Sequence, residues 1–179
     1  MNAYMKPYAV YGTITLCVLL FIFGEIYPKY MPYYALNILF TQGLFWQPLT
    51  TMFAHGGFMH LAMNMVVLFQ FGSLIEYTRG RLFFLGLYYI GGVVTSLLTF
   101  IYVYFAYENY GQLINVVGAS GAICVLIGWI AQKDSFNRKG LIIAILLISF
   151  LPLLIGLKIA WYAHLIGFGV GWIVGKIFR

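Results

Sequence analysis

The chain has 179 residues, 63% of them hydrophobic and 8% charged, with a formal net charge of +6. Soluble domains carry about 25% charged residues, so a water-soluble fold is excluded and a single polytopic membrane domain over residues 1–179 is expected. The basic excess on so apolar a chain points to topology-setting loops against a lipid bilayer, and nucleic-acid binding is not expected.

A span needs about 20 mainly apolar residues. Six are predicted in chain order, at roughly 8–27, 58–77, 82–104, 117–132, 141–157 and 159–178. The first carries no small-residue cleavage site and reads as a span rather than a signal peptide. Between the first two lies a long connection, Pro28 to Gly57, holding Tyr30, Tyr33, Tyr34, Phe40, Phe45 and Trp46. That aromatic set suits a membrane interface, and the stretch is expected to lie partly embedded in one leaflet. The fourth span is short and glycine-rich, which places it inside the bundle. Cys17 and Cys124 fall in apolar runs and read as small buried hydrophobes, not as a disulfide or metal pair.

Lysine and arginine set the orientation. With the N-terminus inside, Lys6, Arg79, Arg81, Lys133, Arg138, Lys139, Lys176 and Arg179 are cytoplasmic, and only Lys29 and Lys158 lie outside. Both termini are therefore expected in the cytoplasm, and spans two, four and six enter from the outer face. Ser120 then lies about three residues into span four and His164 about five into span six, both in the outer leaflet. His60 and Asn64, spaced i, i+4 on one face of span two, reach a similar level.

Polar groups inside a membrane are expensive and read as functional. Three readings compete. The groups could cross-link helices, or the histidines could bind a metal, although His-Glu-x-x-His is absent. The third reading is acyl transfer, with Ser120 as nucleophile and His164 as general base, since a serine hydroxyl attacks only when a neighbouring base takes its proton. Asn64, His60 and the Ser120 N–H would be oxyanion donors. No carboxylate lies at that depth, so a dyad rather than a triad is predicted. Neither metal nor cofactor is called for. Gly167, Gly171 and Gly175 recur every four residues along span six, and Gly121 and Gly128 could face them for close helix approach.

At these residues the chain resembles the rhomboid family of intramembrane serine proteases. The matching elements are Gly118-Ala119-Ser120-Gly121, His60 to Asn64 with His55 upstream, and Ala163-His164 through Gly167 with Gly171 beyond. Gly72 to Glu76 is similar to the family's Gly-x-x-x-Glu at the end of span two. The resemblance implies an all-α, six-transmembrane-helix bundle without an extra-membrane domain, in a cell membrane of bacterial inner-membrane type. It implies attack by Ser120, proton transfer by His164, and an oxyanion held by Asn64, His60 and the Ser120 N–H. Gly118 would keep the approach open. Substrates would be transmembrane proteins with helix-destabilising residues; span five would be a lateral gate. No oligomeric state follows.

Two positions depart from the family pattern. Trp46-Gln47 stands where Trp-Arg is common, so the first loop lacks a charged fork. Cys124 stands where some members stack an aromatic ring on the histidine, so His164 needs other support. A catalytically silent relative that binds membrane helices is the alternative; such proteins typically lack the serine or the histidine. A proton or metal path is disfavoured because the polar groups stop in the outer half of the spans.

Overall fold

A computed structural model describes residues 6–157 and 159–178; Lys158 and Arg179, two of the orientation charges, lie outside the described residues. Helix α1 (Tyr8–Ile26) leads into a connection holding α2 (Met31–Tyr34) and α3 (Gln47–Thr50). Then come α4 (Phe58–Arg79), α5 (Arg81–Leu85), α6 (Gly91–Tyr110), α7 (Ser120–Lys133), α8 (Arg138–Leu154) and α9 (Trp161–Ile177). A widened π turn at Gly86–Ile90 joins α5 and α6 into one rod, Arg81–Tyr110. The chain is all-α as expected, with an isolated antiparallel bridge between Leu36 and Val116.

Among the described residues, three helices are long and apolar enough to cross a membrane: Tyr8–Ile26, Phe58–Arg79 and Arg81–Tyr110. Helices α8 and α9 have 17 residues each and α7 has 14. At its ordinary rise α7 is only about 21 Å long, against a hydrocarbon core of about 30 Å. That shortness is tolerated because every residue from Ala122 to Ala131 is buried. A helix apolar on all sides belongs in a core, and α7 is the axis on which α4, α6, α8 and α9 pack. Large apolar side chains such as Leu19, Phe69, Ile101 and Leu151 instead face outward. The protein is a membrane protein turned, like others, with its lipid-facing surface apolar.

The observed boundaries correct the expected spans at several ends. Residues 117–119 are not helical, so α7 begins at Ser120 itself. They are held out of the helix because Val116 pairs with Leu36 and the Gly118 N–H donates to the Thr51 carbonyl at 3.0 Å. The third rod runs on to Tyr110, where Gly111 ends it in the left-handed region at φ 63°. Helix α8 spans Arg138–Leu154 rather than 141–157, and Pro152 near its end removes a helical donor. Helix α9 starts at Trp161, two residues later than expected.

The glycines of α9 do face α7. A methyl group at Gly171 would lie 2.7 Å from the Val125 carbonyl carbon and 2.9 Å from the Trp129 nitrogen. One at Gly128 would lie 3.0 Å from the Phe168 Cα, and one at Gly167 would lie 3.2 Å from the Gly121 carbonyl carbon. Backbone meets backbone along this seam, the small-residue packing that replaces hydrophobic driving force between helices in lipid.

Glu76, buried at the end of α4, takes the start of α1. Its Oε1 accepts the Ala9 N–H at 3.1 Å and its Oε2 the Val10 N–H at 3.0 Å. The first N–H groups of a helix have no intrahelical acceptor and carry partial positive charge, so a carboxylate there satisfies both needs. Arg81 lies 3.4 Å from Oε1. Glu76→Ala leaves one buried and one half-buried donor unpaired and is expected to cost about 2 kcal/mol. Thermal unfolding in detergent should show the loss, with Glu76→Gln milder.

Candidate active site

The segment entering α7 is pinned by the first connection. Leu36 and Val116 exchange both backbone hydrogen bonds, at 3.0 and 2.9 Å, and the Thr51 hydroxyl donates to the Val116 carbonyl at 2.6 Å. Gly118 follows at φ 127°, a conformation L side chains rarely adopt. A methyl group there would also sit 2.8 Å from the His60 Cε1 and 3.5 Å from the Ser120 Oγ. Glycine at this position both makes the turn and keeps the space between His60 and Ser120 open.

Ser120 is the first residue of α7, where backbone N–H groups point out of the helix without acceptors. The expectation that it lies three residues inside a span is corrected. His164 is the fourth residue of α9, buried at 8% exposure, and its Nε2 lies 3.0 Å from the Ser120 Oγ. His164 reaches Ser120 because α9 lies backbone-to-backbone against α7. Gly121, next to Ser120, and Gly167, three residues after His164, form the first such contact.

On α4, His60 is exposed beside Gly118, and Asn64 is buried one turn further along. The Asn64 Nδ2 has no hydrogen-bond partner among the described residues. A buried donor left unpaired costs about 1–3 kcal/mol, a cost recovered when an acceptor arrives. The His55 ring packs edge-on against His60, with centroids 5.2 Å apart. Its Nδ1–H donates to the Phe53 carbonyl at 3.1 Å, and its Nε2 has no partner among the described residues. A cavity of about 20 Å³ beside Ser120 is lined by Thr51, Thr95, Ser96 and Thr99 among others. That volume admits about one water molecule.

His55 lies in the loop before α4, and burial, with His60 adding a smaller effect, lowers it from 6.5 to about 4. The fold keeps it neutral, whereas the unfolded chain binds a proton below about 6.5. Stability is therefore complete above that pH and falls as pH drops towards 4. Melting temperature measured across this window should decline on acidification, and His55→Gln should flatten the decline.

Two of the residues singled out in the sequence stand apart from the serine–histidine pair. Glu76 holds the start of α1, as described above. Trp46 is exposed, and its indole N–H donates to the Tyr33 carbonyl at 2.9 Å. Beside it, Gln47 is fully buried and replaces the missing charged fork with neutral amide bonds. Its Nε2 donates to the Pro32 carbonyl at 2.9 Å and to the Asn37 Oδ1 at 3.2 Å, and its Oε1 accepts the Asn37 N–H. Asn37 in turn donates to Asn115 at 2.8 Å, next to the segment entering α7. A satisfied neutral network avoids the desolvation cost of a buried charge.

Ser149 is the residue that sequence reasoning missed. It lies on α8, fully buried, with its Oγ 3.4 Å from the His164 Nδ1. The signal was present: Ser149 is the one hydroxyl in the apolar run from Leu141 to Leu154.

With this geometry in place, comparisons with known proteins identify the family. The model of the rhomboid domain matches residues 42–179, and the chain belongs to the rhomboid family. It is 33% identical over 103 residues to the rhomboid protease GluP of Bacillus subtilis, covering 58% of this chain and 18% of that protein. To RHOMBOID-like protein 5 of Arabidopsis thaliana it is 29% identical over 150 residues, 78% of this chain and 46% of that one. To the rhomboid protease GlpG of Haemophilus influenzae it is 26% identical over 141 residues, 74% of this chain and 69% of that one. The chain thus spans less than half the length of the first two relatives.

Proposed function

We propose that this protein is an intramembrane serine endopeptidase that cleaves transmembrane segments through a Ser120–His164 dyad. The observation carrying the reading is the 3.0 Å contact between the His164 Nε2 and the Ser120 Oγ at the start of a buried helix. In the first step the Ser120 Oγ bonds to the substrate carbonyl carbon as its proton passes to the His164 Nε2. The charge that develops on the carbonyl oxygen is held by the Ser120 N–H, by the unpaired Asn64 Nδ2 and by His60. His164 then gives its proton to the departing amine, and the peptide bond breaks. A water molecule, deprotonated by His164, releases the acyl group and restores the serine.

The substrate must present an unwound backbone, because a helical peptide has its carbonyls occupied by its own N–H groups. Gly118 leaves the room for that backbone. The six spans are taken as α1, α4, the Arg81–Tyr110 rod, α7, α8 and α9, forming one domain with the bilayer as solvent. The lysine and arginine distribution supports both termini in the cytoplasm and the dyad towards the outer face, and the resemblance supports a membrane of bacterial inner-membrane type. A silent protein that only binds membrane helices is the second reading. Ser120 and His164, present and in contact, favour the protease.

Reconstitution of the chain with a panel of transmembrane substrates, followed by N-terminal sequencing of products, tests the proposal. A defined cut within or beside the membrane segment is the expected result. Failure of Ser120 to react with a fluorophosphonate, together with no cleavage, would favour the silent reading.

A further inference from the structure

Helix α8 meets the bundle along a narrow line. Only Ile145 and Ser149 of its 17 residues are buried, one turn apart on the same face. Leu146, Leu147, Ile148, Phe150 and Leu151 are exposed. At the centre of that line, the Ser149 Oγ is fully buried and lies 3.4 Å from the His164 Nδ1. The same imidazole contacts Ser120 through its other nitrogen. At the position one turn after Ser120 stands Cys124, whose side chain is buried.

We infer that Ser149 is a positioning residue for the dyad, accepting the His164 Nδ1–H and tying the histidine's orientation to the seating of α8. This inference rests on the proteolytic reading of the Ser120–His164 pair. A neutral imidazole carries one proton, and which nitrogen holds it is set by the partner on the other side. With the proton on Nδ1 and given to Ser149, Nε2 faces the Ser120 hydroxyl with a free lone pair and acts as base. In the opposite tautomer Nε2–H faces Ser120 and cannot accept its proton. Once Ser120 has surrendered its proton, His164 is an imidazolium and both nitrogens are donors. Nδ1–H then needs an acceptor in a site where water is scarce, and the Ser149 Oγ is the group in reach.

This arrangement is weaker than a carboxylate third member, because the acceptor is neutral and the contact long. It is also conditional. A shift of α8 away from α9 separates the Ser149 Oγ from Nδ1 and leaves His164 without its buried partner. An α8 that moves to admit a substrate would therefore loosen the base, and its return would restore the productive tautomer. Entry and chemistry would be coupled through one hydroxyl.

The test compares the wild-type chain with Ser149→Ala, Ser149→Thr and Ile145→Ala, all reconstituted with a transmembrane substrate. A hydrogen bond to a charged group supports about a 10–100-fold loss in kcat for Ser149→Ala, with KM little changed. Ser149→Thr, which keeps the hydroxyl, should recover most of the rate. Imidazole NMR on isotope-labelled histidine should show His164 with its proton on Nδ1 in the wild type and a mixture of tautomers in Ser149→Ala. Ile145→Ala keeps the hydroxyl but loosens the seating of α8, so it should lose part of the Nδ1 tautomer and of kcat, less than Ser149→Ala. Unchanged kcat and tautomer in Ser149→Ala would overturn the inference, as would failure of Ser149→Thr to recover either. A wild-type chain that cleaves nothing would instead sink the proteolytic reading. The NMR comparison would still show whether Ser149 holds His164.

Discussion

Ser120→Ala is expected to reduce cleavage of a transmembrane substrate by on the order of 10³-fold or more, to background. His164→Ala should do the same, and the double variant should lose no more than either alone. On the proposed reading the two side chains act as one unit across their 3.0 Å contact, the serine contributing the nucleophile and the histidine the means to activate it. Non-additivity is the informative part, because independent contributions would multiply. Neither change should unfold the protein. The Ser120 side chain is half-buried at a helix start, where alanine fits, and His164→Ala removes a side chain whose polar contacts are confined to Ser120 and Ser149 among the described residues. Thermal unfolding in detergent should therefore stay close to wild type for Ser120→Ala, and fluorophosphonate labelling should vanish in both. Retained cleavage in either variant would move the chemistry elsewhere.

The second large effect acts on the scaffold. Gly171→Val forces a branched side chain into a space already occupied by the Val125 carbonyl and the Trp129 backbone, with the Cβ alone 2.7 Å from the carbonyl carbon. Flexible side chains can turn aside, but here the neighbour is the backbone of α7, so the two helices must separate. Overpacking costs about 1–3 kcal/mol where side chains can yield, and this change is expected to exceed that range. Loss of the folded population and of cleavage together, seen by thermal unfolding and by assay, is the expected outcome. Gly175→Ala is the matched control. Its methyl group would lie 3.0 Å from the Gln132 Cβ and 3.2 Å from its Oε1, contacts relieved by a shift of a few tenths of an ångström, and the loss should be smaller than at Gly171. Equal effects for the two would mean that the α7–α9 seam is not held by backbone contact.

These two experiments separate what the site does from what holds it. Ser120→Ala removes chemistry and leaves the fold; Gly171→Val removes the fold and the chemistry with it. The distinction matters because the dyad is assembled across two helices whose approach depends on Gly121, Gly128, Gly167 and Gly171. A modest widening of that seam would part the histidine from the serine without touching either.

Much of the architecture was legible in the sequence. Membrane location follows from composition, and most helix ends were placed within a few residues because apolar length must match the bilayer. The four-residue glycine spacing in α9 was read as a packing face, and the structure places it there. The central position of α7 was legible too, since a short glycine-rich apolar run makes a poor lipid-facing span. The pairing of Ser120 with His164 was readable from their chemistry. Their expected depth assumed a start of α7 three residues too early, and the contact itself is set by the α7–α9 backbone seam.

The remaining features depended on contacts between segments far apart in the chain. Local periodicity says whether a stretch is helical, but not what stops it. Residues 117–119 are kept out of α7 by Leu36 and Thr51, supplied from the first connection. Gln47 read as a missing charge until the fold placed Asn37 and Pro32 around it as partners for a neutral amide. Glu76 could be noted as part of a motif, yet that it closes the start of α1 required the tertiary approach of α1 to α4. Ser149 is the sharpest case. In the sequence it is one hydroxyl in a greasy helix, a group usually satisfied by its own backbone. Only the packing of α8 on α9 places its oxygen beside the His164 Nδ1. The sequence by itself determined that a hydroxyl and an imidazole stand at the starts of apolar segments, because residue type and hydropathy are local facts. The tertiary structure alone decided how the histidine is held, because orientation is a property of neighbours.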